Sequence, residues 1–180
     1  RLANFFVFAA HKRVPPALEA LMSMDDIRID GFIPPGHVSV VTGLEAYQPF
    51  FERHRVPCVV SGFEPADILQ TILLLVRQIE SNAPAVANTY GRAVTRAGNP
   101  AAMSLLHTVF DPADVVWRGL GTIPQSGLKI GKAFSAFDAE REFAIEVPAA
   151  ESPRGCICGE ILTGVKTPPE CPLYKTVCTP

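Results

Sequence analysis

The sequence predicts an α/β protein in which a parallel, doubly wound (Rossmann-like) sheet is followed by a small cysteine-rich segment suited to binding a cluster. Short apolar runs alternate three times with helical patterns over the first 81 residues, and such alternation is typical of parallel sheets with right-handed crossovers. Four of the five cysteines lie within the last 25 residues. The first observation predicts the sheet, and the second predicts the metal-binding segment.

Four apolar runs predict the strands. Residues 4–10 (NFFVFAA) are continuously apolar, as expected of a strand that is buried on both faces of a parallel sheet. Residues 27–33 and 57–61 predict the second and third strands, and residues 115–117 predict a further one.

Five segments predict helices, namely residues 17–22, 44–54, 65–81, 99–110 and 136–143. The pair Pro15-Pro16 precedes the first of them, and proline suits the first turn of a helix. The longest has apolar residues at i, i+4 and i+7, a spacing that predicts a stripe facing the core. The residues of this predicted core-facing stripe are Ile68, Ile72, Leu75, Val76 and Ile79.

Composition excludes several classes of function. Of the 180 residues, 48% are hydrophobic and 19% are charged, and the net charge is −2, so we expect a packed core and no nucleic-acid partner. The longest apolar run, residues 68–76, is far shorter than the roughly 20 residues that span a bilayer, so we expect no membrane segment. A large core with few cysteines needs no disulfides, which favours a reducing, cytoplasmic compartment.

The chain divides by composition into an α/β domain at residues 1–147, a linker at 148–154 and a cysteine-rich module at 155–180. The linker contains small and polar residues between Pro148 and Pro153. Both ends are interpreted as cuts within a longer protein, since the chain starts at Arg1 without a methionine and stops inside the cysteine-rich stretch.

Four polar residues follow the predicted strands: His11, His37, Glu64 and Arg118. Ligands of open parallel sheets bind at the carboxyl ends of the strands, so we expect these residues to face one cleft. Each of them is equally compatible with an ordinary loop residue or helix cap. An alternative function is therefore an α/β enzyme that binds a small anionic metabolite at this edge, with His37 as general base and Arg118 as anion clamp.

Common catalytic signatures are missing from the sequence. It contains no phosphate-binding G-x-x-x-x-G-K-[ST] loop, no G-x-G-x-x-G after a strand and no G-x-S-x-G elbow. Cys58 lies within an apolar strand, where a buried, unreactive thiol is expected.

The four clustered cysteines are Cys156, Cys158, Cys171 and Cys178. Thiolates bind soft metals, so this set suits zinc or an iron–sulfur cluster. Zinc ribbons normally carry two C-x₂-C knuckles, and the sequence contains none. A structural zinc module attached to a Rossmann-like domain, or a tail of free thiols, are the other interpretations.

Several composite motifs resemble those of the HypD family of hydrogenase maturation factors. They are Pro35-Gly36-His37-Val38-Ser39-Val40, Gly62-Phe63-Glu64-Pro65, Asn88-x-Tyr90-x-Arg92, Gly98-Asn99, Trp117-Arg118-Gly119, Ile123-Pro124-x-Ser126-Gly127 and the C-x-C-G, C-P-L and C-T-P steps of the tail. The resemblance extends over essentially the whole chain.

The resemblance implies a scaffold more than a turnover enzyme. Proteins of this family, acting with HypC and HypE, carry the iron that becomes the Fe(CN)₂CO centre of [NiFe]-hydrogenase, and HypE works with HypF to deliver cyanide. The family combines α/β domains around a cleft with a smaller domain that holds a [4Fe–4S] cluster.

The resemblance also implies a ligand set, namely Cys156, Cys171 and Cys178, with Cys158 as the alternative to Cys156 and a further cysteine downstream. The family's C-G-G-H motif and that last cysteine are absent from these 180 residues. Residues 1–147 are therefore expected to be incomplete at the N-terminus, and residues 155–180 to be the truncated start of the iron–sulfur domain.

Overall fold

The chain folds into two units in a computed structural model that describes residues 4–145 and 153–178. The terminal unit combines Arg1–Arg28 with Thr108–Pro180, and the central unit is Ile29–His107. The α-helices are α1 (Val14–Met22), α2 (Gly36–Thr42), α3 (Gln48–His54), α4 (Pro65–Glu80), α5 (Pro100–Val109), α6 (Ala139–Glu142) and α7 (Cys158–Leu162). The strands are β1 (Cys58–Val60), β2 (Val86–Asn88), β3 (Phe110–Trp117) and β4 (Gly121–Ile130), and 3₁₀ turns form at Leu44–Tyr47, Lys132–Phe137 and Pro168–Glu170.

The central unit is built on a short parallel sheet. Strand β1 pairs with β2 in parallel register, Cys58 opposite Val86 and Val60 opposite Asn88. Single parallel bridges join Phe32 to Cys58 and Pro35 to Ser61, so an extended segment lies on the other side of β1. All three residues of β1 are fully buried, as expected of a central parallel strand. The α/β class and the parallel strand at residues 57–61 are thus confirmed.

The doubly wound sheet is confirmed only in part. Residues 4–10 and 27–33 are not strands: each makes one bridge, Val7 to Asp138 and Phe32 to Cys58. A strand needs a partner that continues its ladder of hydrogen bonds, and an apolar run does not specify that partner. The sequence analysis also missed strand β2 and helix α2.

The terminal unit contains an antiparallel hairpin. Strand β3 pairs with β4 from Phe110 opposite Ile130 to Trp117 opposite Gly121, with an irregularity between Ala113 and Val115. The predicted strand at residues 115–117 is therefore part of a hairpin and not of the parallel sheet. Helix α1 packs on β4.

The predicted helices are all present, with shifted boundaries. Helix α4 starts at Pro65, a position that suits proline because it has no N–H group that would be left without an acceptor. The helix ends one residue before Ser81. Residues 44–54 form a 3₁₀ turn followed by α3, and residues 136–143 overlap the 3₁₀ turn Lys132–Phe137 and α6.

The orientation predicted for α4 is wrong. Leu75 is buried, but Ile72, Val76 and Ile79 are exposed, and the buried side of the helix also carries Asp67, Thr71 and Gln78. Burying polar groups is tolerated where each one finds a hydrogen-bond partner. The Thr71 and Thr89 hydroxyls lie 2.5 Å apart, and the Gln78 side-chain carbonyl accepts a bond from the Ala85 amide at 2.7 Å.

No helix among the described residues is long and apolar enough to cross a membrane. Residues 148–152 of the predicted linker lie outside the described residues. The division into domains at residues 147 and 155 stays a prediction.

Replacing Gln78 tests the polar side of α4. Gln78→Ala removes the acceptor of the Ala85 amide, so the free energy of unfolding should fall by about 1–3 kcal/mol. Gln70→Ala, on an exposed part of the same helix, should change it by less than about 0.5 kcal/mol. Urea denaturation followed by circular dichroism measures both, and equal effects would contradict the assigned orientation.

Candidate functional sites at the sheet edge and the cysteine segment

Three sequence motifs meet at the carboxyl end of the parallel strands in the central unit. The Gly36 amide donates to the Ser61 carbonyl at 2.9 Å. The Tyr90 ring lies between two glycines: a Cβ atom added at Gly36 would be 2.6 Å from its Cδ1 atom, and one added at Gly62 would be 2.7 Å from its Cδ2 atom. Neither glycine can therefore carry a side chain without displacing Tyr90 or the backbone.

Arg92 is fixed at this edge by a buried carboxylate. Its two terminal nitrogens donate to the two Asp67 oxygens at 2.8 and 2.7 Å, a paired geometry that sets the plane of the guanidinium. The same group lies 4.4 Å above the centre of the Tyr90 ring and also contacts Glu64. About half of the Arg92 side chain stays exposed to solvent.

His37 and Glu64, two of the predicted cleft residues, both belong to this edge. The His37 ring lies 5.2 Å from the ring of Phe63, which directly precedes Glu64. Both His37 and Phe63 are exposed. We define the sheet-edge site by His37, Glu64, Asp67, Tyr90 and Arg92.

The sequence analysis missed Asp67 as a member of this site. The signal was available: an acidic residue in the first turn of α4, two positions after the Gly-Phe-Glu-Pro motif. A carboxylate at that place could have been matched with the arginine of the Asn-x-Tyr-x-Arg motif.

The other two predicted cleft residues belong to the terminal unit. The His11 ring packs edge-on against Phe110, with ring centres 4.9 Å apart. Arg118 lies in the turn between β3 and β4. The expectation that all four residues face one cleft stays a prediction.

Arg118 hydrogen-bonds the Cys156 sulfur and interacts electrostatically with Cys158 and Cys178. We call Cys156, Cys158 and Cys178 the cysteine cluster. The sulfur atoms of Cys156 and Cys158 are 3.3 Å apart. Hydrogen bonding to the Cys156 sulfur, together with the charges that Cys158 and Cys178 can carry, raises the pKa of the Arg118 guanidinium. A guanidinium close to thiols favours the thiolate, which is the form that binds metals.

The two adjacent thiols differ in acidity. The backbone N–H of Cys158, the hydrogen bond between the two thiols and the Arg118 guanidinium lower the pKa of Cys156. That same hydrogen bond and partial burial raise the pKa of Cys158.

Two glycines bring the hairpin turn against the cysteine segment. A Cβ atom added at Gly119 would lie 2.9 Å from the Gly159 nitrogen, and one at Gly159 would lie 2.8 Å from the Gly119 oxygen. Gly119 also has a positive φ of 80°, which favours glycine. The Trp-Arg-Gly and Cys-x-Cys-Gly motifs therefore form one site.

Cys171 is the buried member of the cysteine segment. Its amide donates to the Pro168 carbonyl at 3.1 Å, and its carbonyl accepts from the Tyr174 amide at 3.0 Å. All five cysteines are free thiols. In donor chemistry the segment fits an iron–sulfur cluster, although within residues 4–145 and 153–178 no three His, Cys, Asp or Glu side chains are grouped around a single ion position.

Cys58 is buried in β1, as predicted, and burial raises the pKa of its thiol to about 12. At pH 8 we expect Cys58 in the folded chain to react with iodoacetamide at least about a hundredfold more slowly than in urea, because an ordinary thiol has a pKa near 8.5. Exposed Cys178 is the internal control and should lose much less reactivity on folding. Mass spectrometry of the alkylated peptides measures both rates, and rapid labelling of Cys58 in the folded chain would contradict its assigned environment.

Comparison with known proteins identifies relatives of the whole chain. The family model described as "HypD: Hydrogenase formation hypA family" matches residues 1–180. The chain is 44% identical to the hydrogenase maturation factor HypD of Rhizobium leguminosarum bv. viciae, over 99% of the chain and 48% of that protein. It is 43% identical to HypD of Azotobacter vinelandii, over 99% of the chain and 49% of that protein.

A putative hydrogenase expression/formation protein of Methanocaldococcus jannaschii is 40% identical, over 98% of the chain and 49% of that protein. The chain thus spans about half the length of the curated relatives it matches.

Proposed function

Because the chain belongs to the HypD family of hydrogenase formation proteins, we propose that it is part of a scaffold on which the Fe(CN)₂CO centre of [NiFe]-hydrogenase is assembled. The observation that carries this proposal is the cysteine cluster, in which free thiols lie beside the Arg118 guanidinium. Thiols near a fixed positive charge suit the binding of soft metals and the stabilisation of anionic metal centres.

The proposed resident cofactor is a [4Fe–4S] cluster in the full-length protein. Cys156, Cys171 and Cys178 would hold it, with Cys158 as the alternative to Cys156 and the fourth cysteine outside this chain. The lowered pKa of Cys156 favours Cys156 over Cys158, since the thiolate is the ligand. The cluster would supply either electrons or rigidity to the segment at residues 155–180, the proposed start of the iron–sulfur domain.

His11, His37, Glu64 and Arg118 are the proposed cleft-binding residues, and the geometry supports adding Arg92 to them. Arg92 keeps part of its guanidinium exposed while Asp67 fixes its plane. Glu64 is exposed and contacts the same guanidinium, so it can exchange that contact for one with a bound group.

The proposed partners are HypC and HypE, and the proposed compartment is the cytoplasm. Both proposals rest on the family. The other two functions considered from the sequence, a metabolite-binding enzyme and a structural zinc module, have less support, since the chain belongs to a family of hydrogenase formation proteins.

Single cysteine replacements in the full-length protein test the proposed [4Fe–4S] cluster. After anaerobic purification, Cys171→Ser and Cys178→Ser should each lose most of the bound iron and sulfide and the broad visible absorption, because a cubane cluster takes four thiolates. Comparing Cys156→Ser with Cys158→Ser identifies the first ligand, and we expect the greater loss for Cys156. The Cys58→Ala variant is the matched control, and we expect this protein to keep its bound iron. Bound zinc without colour in the unmodified protein would contradict the proposal.

Replacing Arg92 tests the sheet-edge site. In cells whose own HypD protein is deleted, full-length protein with Arg92→Ala should restore at least about tenfold less hydrogenase activity, because the paired hydrogen bonds to Asp67 are lost. Arg92→Lys keeps the charge but not the paired geometry, so it should also fail.

Arg96→Ala is the matched control for Arg92, since Arg96 is exposed and forms an ion pair with Glu45 at the surface. Protein levels are compared by immunoblot so that loss of activity is not confused with loss of protein. Full activity of Arg92→Ala at normal protein level would exclude Arg92 from the function.

A further inference from the structure

The outer face of helix α4 carries a row of large aliphatic side chains exposed to solvent. Their exposed fractions range from 43% to 68%. Successive members are one or three positions apart, so they share one side of the helix. We call this row the α4 stripe; its members are Leu69, Ile72, Leu73, Val76 and Ile79.

The α4 stripe is unusual because the opposite side of the helix is also packed. Leu75 is buried there, together with Thr71 and Gln78, whose polar groups are satisfied by Thr89 and Ala85. A helix on the surface of an α/β domain normally turns its apolar side to the core and its polar side outwards, whereas α4 buries mainly polar residues and exposes its apolar side. Large contiguous apolar patches are rare on soluble monomers. The α4 stripe therefore indicates a missing layer.

The parallel sheet under α4 is also smaller than a complete domain needs. Strands β1 and β2 have three residues each, whereas sheets usually have four to six strands of about five or six residues. Meanwhile the chain matches only 48% of the length of its relative from Rhizobium leguminosarum and 49% of that from Azotobacter vinelandii. In those relatives, a length of polypeptide about equal to this chain lies outside the matched region.

We propose that the α4 stripe is the docking surface for the part of the full-length polypeptide that lies outside these 180 residues. The segment that covers it must present a complementary apolar face, and it completes the central unit by covering the outer side of α4.

The size of the α4 stripe favours a tethered segment over a second copy of the chain. The stripe runs from Leu69 to Ile79, about 16 Å at 1.5 Å per residue on a helix about 10 Å wide. Its five half-exposed side chains present a few hundred Å² of accessible surface, which is below the roughly 800 Å² per partner of a stable interface between separate chains. A segment of the same polypeptide docks at high effective concentration and can use a smaller face.

The test compares cysteine reactivity on two sides of the same helix in the full-length protein. Leu73→Cys places a thiol in the α4 stripe, and Gln70→Cys places one at an exposed polar position outside the stripe. Each is labelled with iodoacetamide in the native protein and in urea, and peptide mass spectrometry separates the new thiol from the five natural ones. We expect Cys at position 73 to be protected at least tenfold on folding, and Cys at position 70 to be protected less than threefold.

A second measurement identifies what covers the α4 stripe. The 180-residue chain with Leu73→Cys should lose the protection seen in the full-length protein, and the full-length protein should keep it on dilution while light scattering reports a monomer. Equal labelling of positions 70 and 73 in the full-length protein would overturn the proposal. Protection that disappears on dilution, together with a dimer at high concentration, would overturn it in favour of a second copy.

Discussion

The position of Tyr90 between two glycines is the constraint on which the sheet-edge site depends. The ring fills a slot whose walls are the backbones of Gly36 and Gly62, so the starts of α2 and α4 must lie close to the end of β2. The same approach leaves no room for a Cβ atom between Gly62 and the Asp67 carboxylate. Arg92 then covers the ring and reaches Asp67. Because Gly36 and Gly62 have no side chains, the Tyr90 ring fits between them, and the ring in turn helps to position the Arg92 guanidinium.

Local signals in the sequence were sufficient for the helices and for β1. Proline at the start of α4 and periodic apolar residues identify a helix wherever it packs. Periodicity shows which residues share a side but not which side meets the core. In α4 that choice was made by Thr89 and the Ala85 amide, which lie after the end of the helix and satisfy Thr71 and Gln78. Residues 4–10 failed as a strand for a related reason, because an apolar run does not reveal its pairing partner.

The sites were predictable as motifs and much less as geometry. His37 and Glu64 were found because they follow a motif or a strand, while Asp67 was hidden in an ordinary first helical turn. Arg118 was singled out because it follows a predicted strand, and in the structure it hydrogen-bonds a cysteine sulfur atom. The close approach of Gly119 to Gly159 brings that arginine to the cysteines. These two glycines are 40 positions apart in the sequence, so local sequence patterns do not reveal their contact. Motif residues are therefore safer predictions than the pairs they form.

The same close approach bears on how a cluster could be loaded. Small metal modules commonly gain their folding free energy from the metal itself. Here the backbone contact of Gly119 with Gly159 and the bond from the Arg28 amide to the Thr163 carbonyl, 2.7 Å long, hold α7 to the rest of the terminal unit without metal. Cys158 is the first residue of α7, and Cys156 lies two positions before it, so these contacts help to place Cys156 and Cys158 near Arg118. In the proposed function, the contact of Gly119 with Gly159 would therefore bring Arg118 and the thiols of Cys156 and Cys158 together, and other contacts would have to place the remaining ligands.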